Sequence, residues 1–162
     1  INTPSTAVGA GSYHTCALTQ TGALRCEGCD TLDYGQCTPP AGVWTHLAVG
    51  ANHNCGIVDD GSVACWGGSG VFDFGQTTPP AEPLVSIAAG TTHTCGLRND
   101  GAAVCWGCTP PDWDMGQCES MPGPFVDLAA GPYHNCGLKQ DGAVECWGCG
   151  NGPFDSGQCT PP

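Results

Sequence analysis

Apolar residues occur in short segments separated by turns rich in glycine and proline, as residues 81–121 show. Leu84–Ala89 is apolar and partly alternating and stops at Gly90, which predicts a strand. Thr94–Arg98 and Ala102–Trp106 flank an Asp-Gly pair, which predicts a β-hairpin. No segment has the periodicity of an amphipathic helix. We therefore predict an all-β fold with three short strands per unit, or four if the following loop adds one.

The same pattern of apolar and polar positions occurs four times along the chain. The string GSYHTCALTQTGALRCEGC returns as GANHNCGIVDDGSVACWGG, GTTHTCGLRNDGAAVCWGC and GPYHNCGLKQDGAVECWGC. The histidines of these strings lie 39, 40 and 41 residues apart, at His14, His53, His93 and His134. Such a period indicates stacked or ring-arranged copies of one supersecondary unit. We predict a single repeat domain over residues 1–162, with repeats at approximately 1–40, 41–80, 81–121 and 122–162.

The cysteines follow the repeat, and every copy except the second carries four of them. Copy two retains Cys55 and Cys65 but has Gly68 and Thr77 at the positions of the third and fourth cysteines. Two cysteines that are absent together are expected to be bonded to each other where they are present. The predicted disulfides are therefore Cys16–Cys26, Cys29–Cys37, Cys55–Cys65, Cys95–Cys105, Cys108–Cys118, Cys136–Cys146 and Cys149–Cys159.

Turn geometry supports this pairing, because a hairpin signal lies between the first two cysteines of every copy. Cys16 and Cys26 are equidistant from Thr21, so they are expected to face each other across two antiparallel strands. The second disulfide closes a variable loop. The loop of copy two, which lacks it, is therefore expected to be the most mobile.

Zinc binding is the rival interpretation of these cysteines. Cys26-x-x-Cys29 and its two equivalents resemble zinc half-sites, and each full copy could supply four thiolates. Copy two would then lose its metal and yet keep every signal of the fold. We therefore favour disulfides, which indicate an extracellular or otherwise oxidising compartment.

Charge argues against two classes of partner. Three basic residues stand against fifteen acidic ones, and the formal charge of −12 repels phosphate backbones and anionic lipids. No apolar run approaches the ~20 residues that cross a bilayer. We therefore expect no nucleic-acid binding and no membrane insertion.

The chain starts at Ile1 rather than Met, from which we expect a processed or excised segment.

The motif GxxHxCxLxxDGxxxCWG, followed by DxGQ, resembles the repeat of the RCC1 (regulator of chromosome condensation 1) family. The family pattern runs, in outline, GxxHSxALTxxGxVYxWGxNxxGQ. The resemblance recurs in all four copies and implies blades of a β-propeller. The founding member has seven blades, whereas this chain has four copies, lacks a basic tail and has Glu27 in place of a repeat tryptophan. The resemblance therefore implies the fold, and not a chromatin role.

The recurring polar and aromatic residues have structural interpretations that we prefer. The four histidines could form a metal-binding ring, but satisfying backbone groups at the turn is the favoured role. The aspartate before each Gly-Gln pair is expected to cap its turn rather than to bind calcium; these are Asp33, Asp73, Asp114 and Asp155. Trp66, Trp106 and Trp147 occupy one repeat position and are expected in the core. Trp44 and Trp113 break that pattern.

No catalytic constellation is visible in the sequence. A nucleophile elbow, a phosphate-binding loop and an HExxH motif are all absent, and no acid–base pair stands out. We therefore predict a protein that is not an enzyme, with no catalytic residues, no cofactor and no metal. Trp113, between two aspartates, is a candidate platform for stacking a sugar, with packing over a disulfide loop as the alternative.

Thr-Pro-Pro segments recur and end the chain. Their threonines are candidate O-glycosylation sites in extended linkers: Thr38, Thr78, Thr109 and Thr160. The chain ends where a further strand would begin, so the end of one chain matches the start of another. Closure into a four-bladed ring and head-to-tail growth are both consistent with a chain that ends at this point of the repeat. We predict end-to-end contact through residues 1–11 and 158–162.

These observations together predict an extracellular structural or interaction protein. Its specific form would be a self-assembling fibre or a surface-adhesion module, with itself or an extracellular protein or glycan as partner. The alternative is a carbohydrate-binding, lectin-like propeller that uses its loops and Trp113.

Overall fold

The computed structural model describes residues 4–109, 114–150 and 156–160. Within these ranges, twelve strands form four antiparallel sheets of three strands each, which we call blades one to four. Apart from a 3₁₀ turn at Gly70–Phe72, this part of the chain contains no helix, and hence none long enough to cross a membrane. The prediction of an all-β protein built from repeated blades is confirmed.

Each blade uses its three strands in sequence order. Blade one consists of β1 (Ser5–Ala10), β2 (Thr15–Thr19) and β3 (Leu24–Glu27). Blade two consists of β4 (Trp44–Val49), β5 (His53–Val58) and β6 (Val63–Gly67). Blade three consists of β7 (Ser86–Ala89), β8 (His93–Leu97) and β9 (Ala103–Gly107). Blade four consists of β10 (Phe125–Ala130), β11 (Asn135–Lys139) and β12 (Val144–Trp147).

Seven disulfides cross-link the chain, which confirms its disulfide-rich character. Four of them join the second and third strands of a blade across directly opposed residues, with Cα–Cα distances of 4.0–4.1 Å: Cys16–Cys26, Cys55–Cys65, Cys95–Cys105 and Cys136–Cys146. The other three close the loop after the third strand: Cys29–Cys37, Cys108–Cys118 and Cys149–Cys159. Every bridge lies within one blade and the loop that follows it.

The apolar core lies mainly between blades. Leu128 and Phe125 of blade four pack with Leu97, Ala103 and the Cys95–Cys105 bridge of blade three. The boundary between blades one and two is built in the same way, with Trp44 and Trp66 of blade two against Leu18 of blade one. Blades two and three therefore each pack against the blade before them and the blade after them.

Bulky residues at the start of a blade are matched by glycine on the neighbouring strand. A Cβ atom on Gly56 would lie 2.5 Å from Cε3 of Trp44, which is too close for two carbon atoms that are not bonded to each other. Gly96 faces Leu84 and Gly137 faces Phe125 in the same way. Blade one has the small Ser5 at the position of Trp44, and there the glycine is replaced by Ala17. The two positions are therefore sterically coupled.

Candidate interaction surfaces

A buried histidine links each blade to the next one. Its Nε2 atom lies 2.8 Å from a polar side chain across the boundary, in the pairs His14–Asn54, His53–Thr94 and His93–Asn135. All six side chains are buried. The sequence-based expectation that these rings satisfy backbone groups at the turn is wrong for these three, because their partners are side chains of the following blade.

The asparagine partners determine which nitrogen of the histidine carries the proton. Asn54 donates from Nδ2 to the main-chain carbonyl of Gln36 at 2.9 Å, so its Oδ1 atom is left to accept from His14. The proton of His14 therefore sits on Nε2, and its Nδ1 atom is buried without a partner among the described residues. The same reasoning applies to His93, because Asn135 donates to the carbonyl of Gln117 at 2.8 Å.

Burial keeps the rings of His53 and His93 neutral. Desolvation, together with the nearby His93 and His14, lowers the pKa of His53 from 6.5 to about 3. Desolvation also lowers the pKa of His93, against an opposing effect of its hydrogen bond to Asn135. His53 and His93 therefore link the blades as neutral side chains.

The DxGQ loop supplies the second link between blades. Gln36 closes its own loop by accepting from the Tyr34 amide at 2.6 Å, while Asp33 accepts from the Gly35 amide at 2.8 Å. The main-chain carbonyl of Gln36 then accepts from Trp66 Nε1 in blade two at 3.0 Å, and Trp106 donates to Gln76 at 2.8 Å. The aspartates at positions 33, 73 and 114 thus cap their turns as expected, and Asp155 lies outside the described residues.

All four blades line an open cavity of about 290 Å³. Its wall is formed by the connections between the first and second strands, centred on Gly11, Gly50, Gly90 and Gly131. Neighbouring connections are joined by main-chain hydrogen bonds, for example from the Ser12 amide to the Ala51 carbonyl at 2.9 Å. No titratable side chain is among the described residues that line the cavity, which therefore offers no acid or base for catalysis.

Blade one has an uncovered surface, which we call the leading face and define by Val8 and Thr15. Val8 is 74% exposed, although its counterpart in blade four, Leu128, is buried against blade three. Thr15 is exposed, whereas Asn54, Thr94 and Asn135 at the same repeat position are buried. The blades therefore form an arc with a free face at each end.

Blade four has the complementary uncovered surface, the trailing face, defined by His134, Leu138 and Val144. Leu138 is 38% exposed, whereas Leu18, Ile57 and Leu97 at the same repeat position are 3%, 2% and 4% exposed. A groove of about 250 Å³ runs over this face, with Leu138, Val144 and Cys136 in its wall. Within the described part of the chain, the side chain of His134 has no hydrogen-bond partner.

The sequence profile described as the regulator of chromosome condensation (RCC1) repeat matches four segments, residues 6–36, 44–76, 84–109 and 125–158. Each segment corresponds to one blade. The chain belongs to the RCC1 repeat family. No curated protein sequence matches it significantly.

Two receptor-kinase ectodomains of known structure resemble the chain over most of its length. The CRINKLY WD40 ectodomain of the Arabidopsis thaliana receptor kinase ACR4 is 32% identical, with a TM-score of 0.71 over 93% of this chain and 52% of that one. The ectodomain of the Physcomitrella patens receptor kinase CR4 is 30% identical, with a TM-score of 0.71 over 93% and 40% of the two chains. This chain thus spans about half of the first ectodomain and less of the second.

A more distant RCC1 structure shares the fold alone. Prp20p from Saccharomyces cerevisiae is 22% identical, with a TM-score of 0.67 over 89% of this chain and 43% of that one.

The tryptophans, threonines and cysteines named from the sequence lie as follows. Trp66 and Trp147 are buried and Trp106 is half-buried; Trp44 is buried at the first boundary although it breaks the repeat pattern. The four Thr-Pro-Pro threonines are all exposed: Thr38, Thr78, Thr109 and Thr160. Trp113, the candidate sugar platform, lies outside the described residues. All fourteen cysteines are disulfide-bonded, so none offers a free thiolate to zinc.

The residues of the two faces were not singled out by sequence reasoning. The available signal was the polar residue after each repeat histidine, which is Thr15, Asn54, Thr94 or Asn135. Its alternation between threonine and asparagine preserves a hydrogen-bonding group at a position that the fold buries.

Proposed function

We propose that this RCC1 chain is an extracellular protein-interaction module that acts through its leading and trailing faces and assembles into a larger structure. Its similarity to two receptor-kinase ectodomains and its seven disulfides support an extracellular location. Yeast Prp20p, which shares the fold, is described by its binding to Gsp1p and histones, which supports protein rather than small-molecule recognition.

The observation that carries this proposal is the exposure of Leu138 beside the groove on blade four. Three internal boundaries bury the equivalent side chain almost completely, so the position is built to be covered by a sheet. An apolar groove on the face of a blade fits another protein surface that can cover it. It does not fit a nucleic acid, which the formal charge of −12 repels.

Other function classes find less support in the described residues. One cluster there has the composition of a metal site, Cys108, Asp114 and Cys118, but its two cysteines are bonded to each other. The cavity lined by the connections between first and second strands has no acid–base pair among its described residues. These features favour an interaction scaffold over an enzyme.

The proposal is tested by immobilising the chain and measuring binding to proteins of the medium around its source cells, to a glycan array and to duplex DNA. We expect saturable protein binding that Leu138→Asp abolishes, and no binding to DNA even at low salt. Val71→Asp is the matched control, because Val71 is 84% exposed on the loop of copy two, away from both faces. Discrete glycan binding that Leu138→Asp leaves unchanged would instead support a lectin.

A further inference from the structure

The two free faces are the two halves of one recurring interface. At an internal boundary, the earlier blade contributes a histidine, a leucine or isoleucine and a disulfide. The later blade contributes an apolar residue of its first strand and a threonine or asparagine. The trailing face carries the first set in His134, Leu138 and Cys136–Cys146, and the leading face carries the second in Val8 and Thr15.

We infer that the partner of these faces is a second copy of this chain, bound head to tail, with the leading face of one molecule on the trailing face of the next. The inference rests on the proposed function, because it names the protein that the faces bind. Three boundaries inside the molecule already show how two such faces fit together.

The polar contact has a direct precedent in the molecule. His53 and Thr94 meet across the second boundary with 2.8 Å between Nε2 and Oγ1. His134 and Thr15 are the same two residue types at the same two repeat positions. Both lie at uncovered faces, so an intermolecular bond between them would pair groups that otherwise bond water.

The apolar contact also has a precedent. Leu128 packs with Leu97, Ala103 and the Cys95–Cys105 bridge at the third boundary. Val8 occupies the repeat position of Leu128, and Leu138 and Val144 occupy those of Leu97 and Ala103. Val8 of one copy would therefore enter the groove of about 250 Å³ on blade four of the other. This burial supplies the main driving force for association.

Two departures make the intermolecular contact weaker than the internal ones. Pro132 has no amide hydrogen, whereas the equivalent residues Ser12, Ala51 and Thr91 each donate to the next blade. Glu27 replaces the tryptophan that, as Trp66 and Trp106, donates to the glutamine carbonyl of the preceding blade. With these bonds missing, association should be reversible and should depend on concentration.

The two faces differ, so the contact is heterologous. Such contacts close into a ring if the rotation between copies allows it and otherwise extend into a filament. A two-copy ring and a longer filament are both head-to-tail products. In both, the faces of blades one and four would make the contact, whereas the sequence-based prediction placed it at residues 1–11 and 158–162.

A complementation experiment tests the inference by sedimentation velocity from about 1 µM to about 1 mM, a range that brackets weak to moderate association. Val8→Asp keeps an intact trailing face, and Leu138→Asp keeps an intact leading face. Each variant alone should lose at least about tenfold in self-affinity, as for a central interface residue. An equimolar mixture should form heterodimers and grow no further, because each mixed pair has only one intact contact.

Several results bear on the inference. Val71→Asp should assemble like the unaltered chain, and added salt should strengthen assembly by screening two chains of formal charge −12. Glu27→Trp should lower the dissociation constant by restoring the missing donor. The inference is overturned if the unaltered chain stays monomeric, if the single variants assemble normally, or if the mixture does not form heterodimers. If another protein still binds through Leu138, only the identity of the partner is overturned.

Discussion

His53 and Thr94 meet across the boundary between blades two and three, with 2.8 Å between the imidazole Nε2 and the hydroxyl oxygen. Both side chains are completely buried. Because no water reaches them, each side chain satisfies the hydrogen-bonding group of the other. The bond forms only when blade three packs in its correct position against blade two. The pair therefore couples the position of one blade to the next.

Removing the hydroxyl should destabilise the protein without creating a large cavity. Thr94→Val preserves the side-chain shape but leaves Nε2 of His53 buried without a partner, which costs about 1–3 kcal/mol. The free energy of unfolding in guanidinium, with disulfides intact, measures the effect. Thr31→Val is the matched control, because Thr31 is exposed, and it should change stability by less than about 0.5 kcal/mol. Equal effects of the two variants would contradict the structural role of the pair.

Stability should fall with acid before the carboxylates titrate. The pKa of His53 is lowered from 6.5 to about 3 by burial, and that of His93 is also lowered by burial. The unfolded chain therefore takes up these protons first, so the stabilisation is complete above about pH 6.5 and is lost progressively as pH falls towards 3. Each histidine should contribute a slope of up to about 1.4 kcal/mol per pH unit.

Unfolding measured at intervals between pH 7.5 and 4.5 checks this dependence. His46→Asn is the control, because the His46 side chain is exposed. A free energy of unfolding that stays flat over this range would show that the boundary histidines are not held neutral.

The steric coupling of Trp44 and Gly56 predicts an asymmetric pair of substitutions. Gly56→Ala should cost about 1–3 kcal/mol, because the added methyl would collide with the Trp44 ring. Ala17→Gly, at the same repeat position of blade one, should cost only about 0.5–1 kcal/mol through backbone entropy. Thermal unfolding of the two variants compares them directly. A larger loss for Ala17→Gly would reverse the proposed coupling.

Peptide mapping without reduction should recover seven intra-blade disulfides and no free thiol, as in the structure. Reduction should strongly destabilise the fold, because each short loop loses about 2–3 kcal/mol of stabilisation in the chain-entropy model. A bond between Cys16 and Cys37, or stoichiometric zinc, would contradict the assignment of cysteines to hairpin and loop bridges.

Hydrogen exchange should distinguish the loop of copy two from that of copy one. The amides of Tyr34 and Phe74 make the same bond, each to the glutamine two residues later at 2.6 Å. Only the first lies in a loop closed by a disulfide, Cys29–Cys37. The Phe74 amide should therefore exchange about tenfold faster or more. Equal protection would show that the loop bridge does not limit local opening.

The strands were predictable because their signals are local. The Asp-Gly turn between Cys95 and Cys105 sets the hairpin register, and the missing cysteines of copy two indicate the pairing of the others. The partner of His53 was not predictable, because it lies 41 residues away and depends on how blades pack. The exposure of Val8 and Leu138 depends on whether the arc of blades closes into a ring. Closure is determined by the angle between neighbouring blades, and no residue pattern in the sequence specifies that angle.

The confinement of every disulfide to a single blade has a genetic consequence. Duplication or deletion of one whole repeat by unequal recombination adds or removes cysteines only in bonded pairs. The encoded product is never left with an orphan thiol, and its oxidative folding needs no new connectivity. A gene of this design can change its number of repeats in one step, so lineages should differ in length by about forty codons at a time.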